Sequence, residues 1–159
     1  MNITIVCVGK IKEAFYKDAV NEYAKRLSRY CKFQVIEVAD EKTPDQTTAH
    51  EEDLIRQKEA ERILKQIKED AYVIALAIQG KKLDSVAFSE YIERLGVQGK
   101  SNLVFVIGGS LGLHSTVLKR ADDQISFSDM TFPHQLMRVI LAEQIYRGFR
   151  IMNGEPYHK

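Results

Sequence analysis

Apolar residues in this chain fall into short continuous runs, separated by stretches where they recur every three or four positions. Residues 2–8, "NITIVCV", read as a strand. From Lys12 to Tyr30 the residues Phe15, Ala19, Val20, Tyr23 and Leu27 recur at helical spacing, with Lys17, Lys25, Arg26 and Arg29 largely off that stripe. Residues 33–38, "FQVIEV", form a second strand, and Gln34 and Glu37 suggest a place near a sheet edge. A polar loop with Pro44 follows, and Thr48 with Glu51 three residues on is a capping box that opens a charged helix reaching about Glu69. That helix could swing free on its loop as easily as pack tightly.

"YVIALAI" at 72–78 and "LVFVI" at 103–107 are apolar throughout, as strands covered on both faces of a parallel sheet are. Helices are expected at Ser85–Leu95 and Ser115–Ala121, and a fifth strand at 124–127. A last helix starts at His134 behind Pro133 and ends near Arg147, with Gly148 as its terminator. Strand and helix alternate five times, which predicts an α/β fold with a mostly parallel sheet and helices on both faces, in a single domain over 1–159.

Composition changes this picture little. Apolar residues make up 45% and charged residues 28%, an ordinary globular balance. No apolar run approaches the roughly 20 residues of a membrane helix, and the opening run precedes its charges, unlike a secretory signal. Cys7 and Cys31 form no close-spaced motif, so reduced thiols and a cytoplasmic setting without membrane contact are expected. The net charge of +1 does not announce a nucleic-acid binder, but its distribution is uneven. Residues 1–32 carry seven Lys/Arg against three Asp/Glu, whereas residues 41–70 carry six against nine.

Ligands of open α/β sheets bind beyond the carboxyl ends of the strands. Three such ends are unusual here: "ALAIQG" at 75–80, "VIGGSLG" at 106–112 and "SFSDMTF" at 126–132. The glycine turn lacks G-x-G-x-x-G, follows the fourth strand rather than the first, and has no G-K-[ST] lysine for a phosphate. Glycines let main chain approach a ligand closely, which suits a neutral or zwitterionic nucleoside better than a triphosphate; a tight turn with no ligand is an equal alternative. Phe127 and Phe132 among the hydroxyls of Ser126, Ser128 and Thr131 have the mixture an adenine pocket needs, or they cap the core. His50, His114, His134 and His158 show no i, i+4 pair or His/Cys cluster, so no metal site is expected.

These strand ends, with the opening "ITIVCVGKIK", "SFSDMTFPHQLMRVILAEQIYRGFRI" and the closing "EPYHK", closely resemble the ribosomal large-subunit RNA methyltransferase H family of the SPOUT superfamily. The resemblance covers essentially the whole chain. It implies a C-terminal trefoil knot, which alternation alone does not predict because knots are nearly absent from folds. It also implies a homodimer that uses S-adenosylmethionine (SAM) to methylate N3 of a pseudouridine in large-subunit ribosomal RNA on the assembled ribosome. By the same resemblance Leu76, Gly108 and the loop Phe127, Ser128, Asp129, Met130, Thr131 and Phe132 form the methyl-donor pocket, and Tyr157, His158 and Lys159 match a functional tail.

His158, or a water it orients, is a candidate to take the N3 imide proton; positioning the RNA is its equal alternative. The basic first helix with Arg138, Arg147 and Lys159 would meet RNA phosphates. Leu136, Met137, Ile140 and Leu141 give the last helix apolar surface for a two-fold interface, or for the core. Two other classes stay open: a non-catalytic nucleotide-binding module, and a ribosome-associated RNA-binding factor with a vestigial pocket.

Overall fold

The protein is described by a computed structural model covering residues 1–159. Its strands are β1 (Asn2–Val8), β2 (Lys32–Val38), β3 (Tyr72–Lys82), β4 (Asn102–Ile107) and β5 (Asp123–Ser126). They form one sheet in the order β2-β1-β4-β3-β5, and every neighbouring pair is parallel. The half-polar strand β2 is an edge, as Gln34 and Glu37 suggest. The apolar strands β1 and β4 are central because both of their faces are covered. Ile3, Ile5, Cys7, Leu103, Phe105 and Ile107 point into one core, and Val6, Val8, Val104 and Val106 into the other.

The helices are α1 (Ala14–Leu27), α2 (Ala49–Lys65), α3 (Ser85–Val97), α4 (Ser115–Arg120) and α5 (His134–Met152). α1, α3 and α5 cover the first core and α2 and α4 the second, so helices lie on both faces. α2 does not swing free: Glu59, Ala60 and Ile63 are buried. Its start is the capping box, with Thr48 Oγ1 accepting from the Glu51 N–H at 3.2 Å and Glu51 Oε2 accepting from the Thr48 N–H at 3.1 Å. No helix is long and apolar enough to cross a membrane. Cys7 and Cys31 are free and buried, and burial pushes each thiol up to about 11, so neither is a ready nucleophile.

Three expectations are corrected. α1 begins later than Lys12 because the Lys12 N–H is drawn to Gln135 Oε1 at 3.0 Å, and Phe15 is 64% exposed rather than part of the inward stripe. α5 runs through Gly148 to Met152; the glycine is not a stop but the point where α3 crosses, with Ser89 Oγ donating to the Gly148 carbonyl at 2.8 Å. β3 does not end at residue 78. Its ladder with β5 jumps from Leu76 to Lys81, both of which sit opposite Ile125, so residues 77–80 bulge out of the sheet.

Candidate functional site

The β3 bulge, the turn after β4 and the loop after β5 meet at the carboxyl end of the sheet. Together they line a cavity of ≈ 210 Å³, closed at its base by His134 and Met137 of α5. The glycine turn is built by its own geometry. The Gly112 N–H donates to the Gly109 carbonyl at 3.1 Å, and Gly112 has φ +81°, a conformation glycine adopts without strain. A side chain at Gly108 would put its Cβ 2.9 Å from the Gly112 carbonyl carbon. The turn is therefore folded back on itself tightly, with Gly108, Gly109, Ser110 and Gly112 in the cavity lining.

α2 holds this turn from behind. Arg56 Nη1 reaches the Leu111 carbonyl at 3.5 Å, and Asp53 lies 3.5 Å from Nε2 of His114, whose Nδ1 caps α4 by accepting from Thr116 N–H. Glu59 is 5% exposed, and a Cβ on Gly109 would sit 3.2 Å from its Oε1. Burial is the chief cause that raises the Glu59 carboxyl above the usual range, partly countered by the Glu41 N–H that it accepts.

The loop after β5 is wired internally. Ser126 Oγ donates to the Ser128 carbonyl at 3.1 Å, and Ser128 Oγ accepts from the Met130 N–H at 3.0 Å. Phe127 meets Phe88 edge-on, with ring centroids 6.0 Å apart, so it caps the core and walls the cavity at once. Ile78, Met130 and Phe132 line the mouth at 66%, 75% and 36% exposure, an apolar rim open to a flat ring.

Of the residues assigned to a donor pocket, Leu76, Gly108, Phe127, Ser128, Met130, Thr131 and Phe132 all line this cavity. Asp129 does not; it turns outward to pair with Lys82 at 2.6 Å. His134, passed over in the sequence because no second histidine lies near it, is in the wall. Its place directly after Pro133 in "TFPHQL" is the signal that could have found it.

The tail residues are elsewhere. Tyr157 donates to Glu143 Oε1 at 3.0 Å and lies under the Arg147 guanidinium, 4.7 Å from its ring centroid. Burial first, then the Glu143 carboxylate, hold the phenol well above its ordinary range, so Tyr157 is a donor and not a base. Arg147 Nη1 lies 3.1 Å from His158 Nδ1. A guanidinium has no acceptor, so Nδ1 must accept, which leaves the proton on Nε2. Lys159 is exposed. None of the three tail residues lines the cavity.

Arg138 requires a correction. It is fully buried, where no phosphate can reach it. Nη2 donates to the Val8 and Gly9 carbonyls, each at 2.8 Å, and Nη1 to Glu37 Oε2 at 2.8 Å. It ties α5 to the carboxyl ends of β1 and β2, as a clamp under the site. Met137 and Leu141 are likewise core residues, while Leu136 and Ile140 keep part of their surface outside.

A larger cavity, ≈ 630 Å³, lies at the opposite ends of β1, β2 and β4. It has no glycine in its lining, and four of its polar side chains pair off, Asn2 with Asn102 at 2.7 Å and Gln34 with Thr4 at 3.1 Å. It lacks the converging main chain of the smaller one. No group of three His, Cys, Asp or Glu side chains is arranged to hold a metal ion.

A parallel α/β sheet whose glycine turn follows β4 rather than β1 and carries no G-K-[ST] lysine stands apart from the phosphate-gripping α/β folds. The family described as "Predicted SPOUT methyltransferase" matches residues 1–158, and the chain belongs to it. Two relatives named "Ribosomal RNA large subunit methyltransferase H" match over their full length and that of this chain. That of Clostridium kluyveri is 60% identical over 159 residues and that of Clostridium tetani 62%. A solved structure of a probable methylase family protein from Haemophilus influenzae shares the fold, at TM-score 0.55 and 16% identity, covering 99% of this chain and 70% of that one.

Proposed function

We propose that the protein is a SAM-dependent methyltransferase that methylates N3 of a pseudouridine in 23S ribosomal RNA, acting on the assembled large subunit. The observation that carries this reading is the cavity in which the Gly108 turn, Leu76 and the loop Phe127–Phe132 converge with no lysine aimed at a phosphate. Such walls suit an adenosine and a sulfonium, and the names of the full-length relatives supply the substrate class. SAM is the methyl donor. The same reading expects a trefoil knot.

The working form is a cytoplasmic homodimer. The tail residues Tyr157, His158 and Lys159 lie outside the cavity of their own chain, so a second subunit is the economical source of a tail at each donor site. Leu136, Ile140 and the exposed Phe15 have apolar surface to spare for such a contact. Arg147 and Lys159 remain the candidates for phosphate contacts. Incubating ribosomes that lack the modification with labelled SAM, followed by nucleoside mass spectrometry, tests the reading. Label on N3 of one pseudouridine is expected. Binding of ribosomes without transfer would instead fit an RNA-binding factor, and SAM binding without ribosome association would fit a nucleotide-binding module.

A further inference from the structure

Methylating N3 of a pseudouridine requires that an imide proton leave, and the tail histidine is poorly disposed to take it. His158 Nδ1 is occupied by Arg147, and its Nε2 carries the proton that this contact dictates. Another imidazole stands in the cavity wall itself. His134 opens α5 and shares the cavity lining with Gly108, Phe132 and Met137, and its ring is not engaged in a side-chain hydrogen bond. Gly9, at φ +90°, backs the ring: a Cβ there would lie 3.5 Å from His134 Nε2, in ordinary contact. The Arg138 clamp fixes the same Gly9 main chain, so the ring rests on a rigid floor.

We propose that His134 is the general base of the methyl transfer, resting on the functional reading above. The N3 lone pair attacks the sulfonium methyl carbon, and the carbon–sulfur bond breaks with its electron pair passing to sulfur, giving S-adenosylhomocysteine. The N3 proton passes to a nitrogen of the His134 ring, and from there to solvent. For this the ring must start neutral. Burial, first, and the neighbouring Arg138 cation push its imidazole below the ordinary range, with Asp40 partly opposing them. Glu37, the carboxylate paired with Arg138, is also engaged by the Ile11 N–H at 2.7 Å, while Glu143 and Glu155 pair with Arg147 and Arg150 further along α5. Asp129, on the facing loop, is turned away to Lys82. The glycine turn brings no charge. His134 is thus a neutral acceptor beside a sulfonium, where an imidazolium would repel the donor.

The test is single-turnover methylation of unmodified ribosomes by His134→Gln and His134→Asn dimers across pH, with SAM affinity measured by calorimetry. Expected are donor affinity within about threefold of wild type and a transfer rate lower by roughly 10²- to 10⁴-fold, the usual range for a lost base. The wild-type rate should fall in acid with a midpoint below the ordinary imidazole range. The variants should lose that limb and recover as pH rises and the imide ionises unaided. Equal rates, or an acid limb that survives in His134→Gln and vanishes in His158→Ala, would overturn the assignment. Donor affinity that collapses in both variants would overturn it too, making His134 a binding residue. A wild-type protein that binds SAM but leaves ribosomes unmodified would sink the functional reading, and this inference with it.

Discussion

Replacing Arg138 with methionine removes a fully buried cation while leaving its partners in place. The Val8 and Gly9 carbonyls lose the donor that lies 2.8 Å away from each, and Glu37 loses its ion pair at 2.8 Å. An orphaned buried polar group costs about 1–3 kcal/mol. The Glu37 side chain is 36% exposed and can turn to water, so its share is the smallest. The total comes to about 4 kcal/mol, in line with the roughly 3–5 kcal/mol typical for breaking a buried pair. Out of a total stability of about 5–15 kcal/mol, the variant still folds at low temperature. Its midpoint should fall by roughly 8–16 °C at about 2–4 °C per kcal/mol for a chain of this size. Thermal melts at a fixed protomer concentration measure it, because dissociation contributes to apparent stability. Arg138→Lys should recover only part, since one ammonium cannot fork between two carbonyls and a carboxylate. A loss under about 1 kcal/mol, with ribosome affinity reduced and its salt dependence flattened, would restore Arg138 as a phosphate ligand and refute the clamp.

Gly108→Ala should abolish SAM binding by calorimetry while the fold persists, because the new methyl would lie 2.9 Å from the Gly112 main chain and open the turn. Gly80→Ala should destabilise far more than Gly148→Ala in thermal melts: a Cβ at Gly80 would fall 2.5 Å from the Ile125 carbonyl carbon, whereas at Gly148 the nearest atom is 3.7 Å away. Glu59 titrates higher folded than unfolded, so its contribution is fully present below the ordinary carboxylate range and is lost as pH rises through its raised value. Glu59→Gln should therefore be more stable than wild type near pH 7, with the gap closing in acid, when unfolding is followed at several pH values.

What could be read in the sequence was whatever depends on local spacing. The Thr48–Glu51 box, the strands of β1 and β4 and the edge character of β2 all follow from a few neighbouring residues, and each is found where expected. The three unusual strand ends could be read as a site because strand ends in parallel sheets share one side, and they do converge. Strand order could not be read, since β3 and β5 meet through pairings that local pattern does not encode. Gly148 looked like a helix stop because a glycine's role depends on what crosses it, here Ser89 of α3. Arg138 differs for the same reason: a positive charge in a helical run carries no mark of burial, and it is the Val8 and Gly9 carbonyls and the Glu37 carboxylate, all distant in the chain, that make burial tolerable.

The buried clamp and the cavity belong to one design. Arg138 must sit one turn after His134 to reach the end of β1, so the cation that fixes the floor also lies close enough to disfavour a second positive charge on the ring above it. Loosening the clamp is then expected to act on transfer rate before donor affinity, because the glycine turn is backed separately, by Arg56 and Asp53 of α2 on the other face of the sheet. The two supports thus come from opposite faces of the sheet, the clamp from α5 and the backing of the glycine turn from α2, and meet at one cavity.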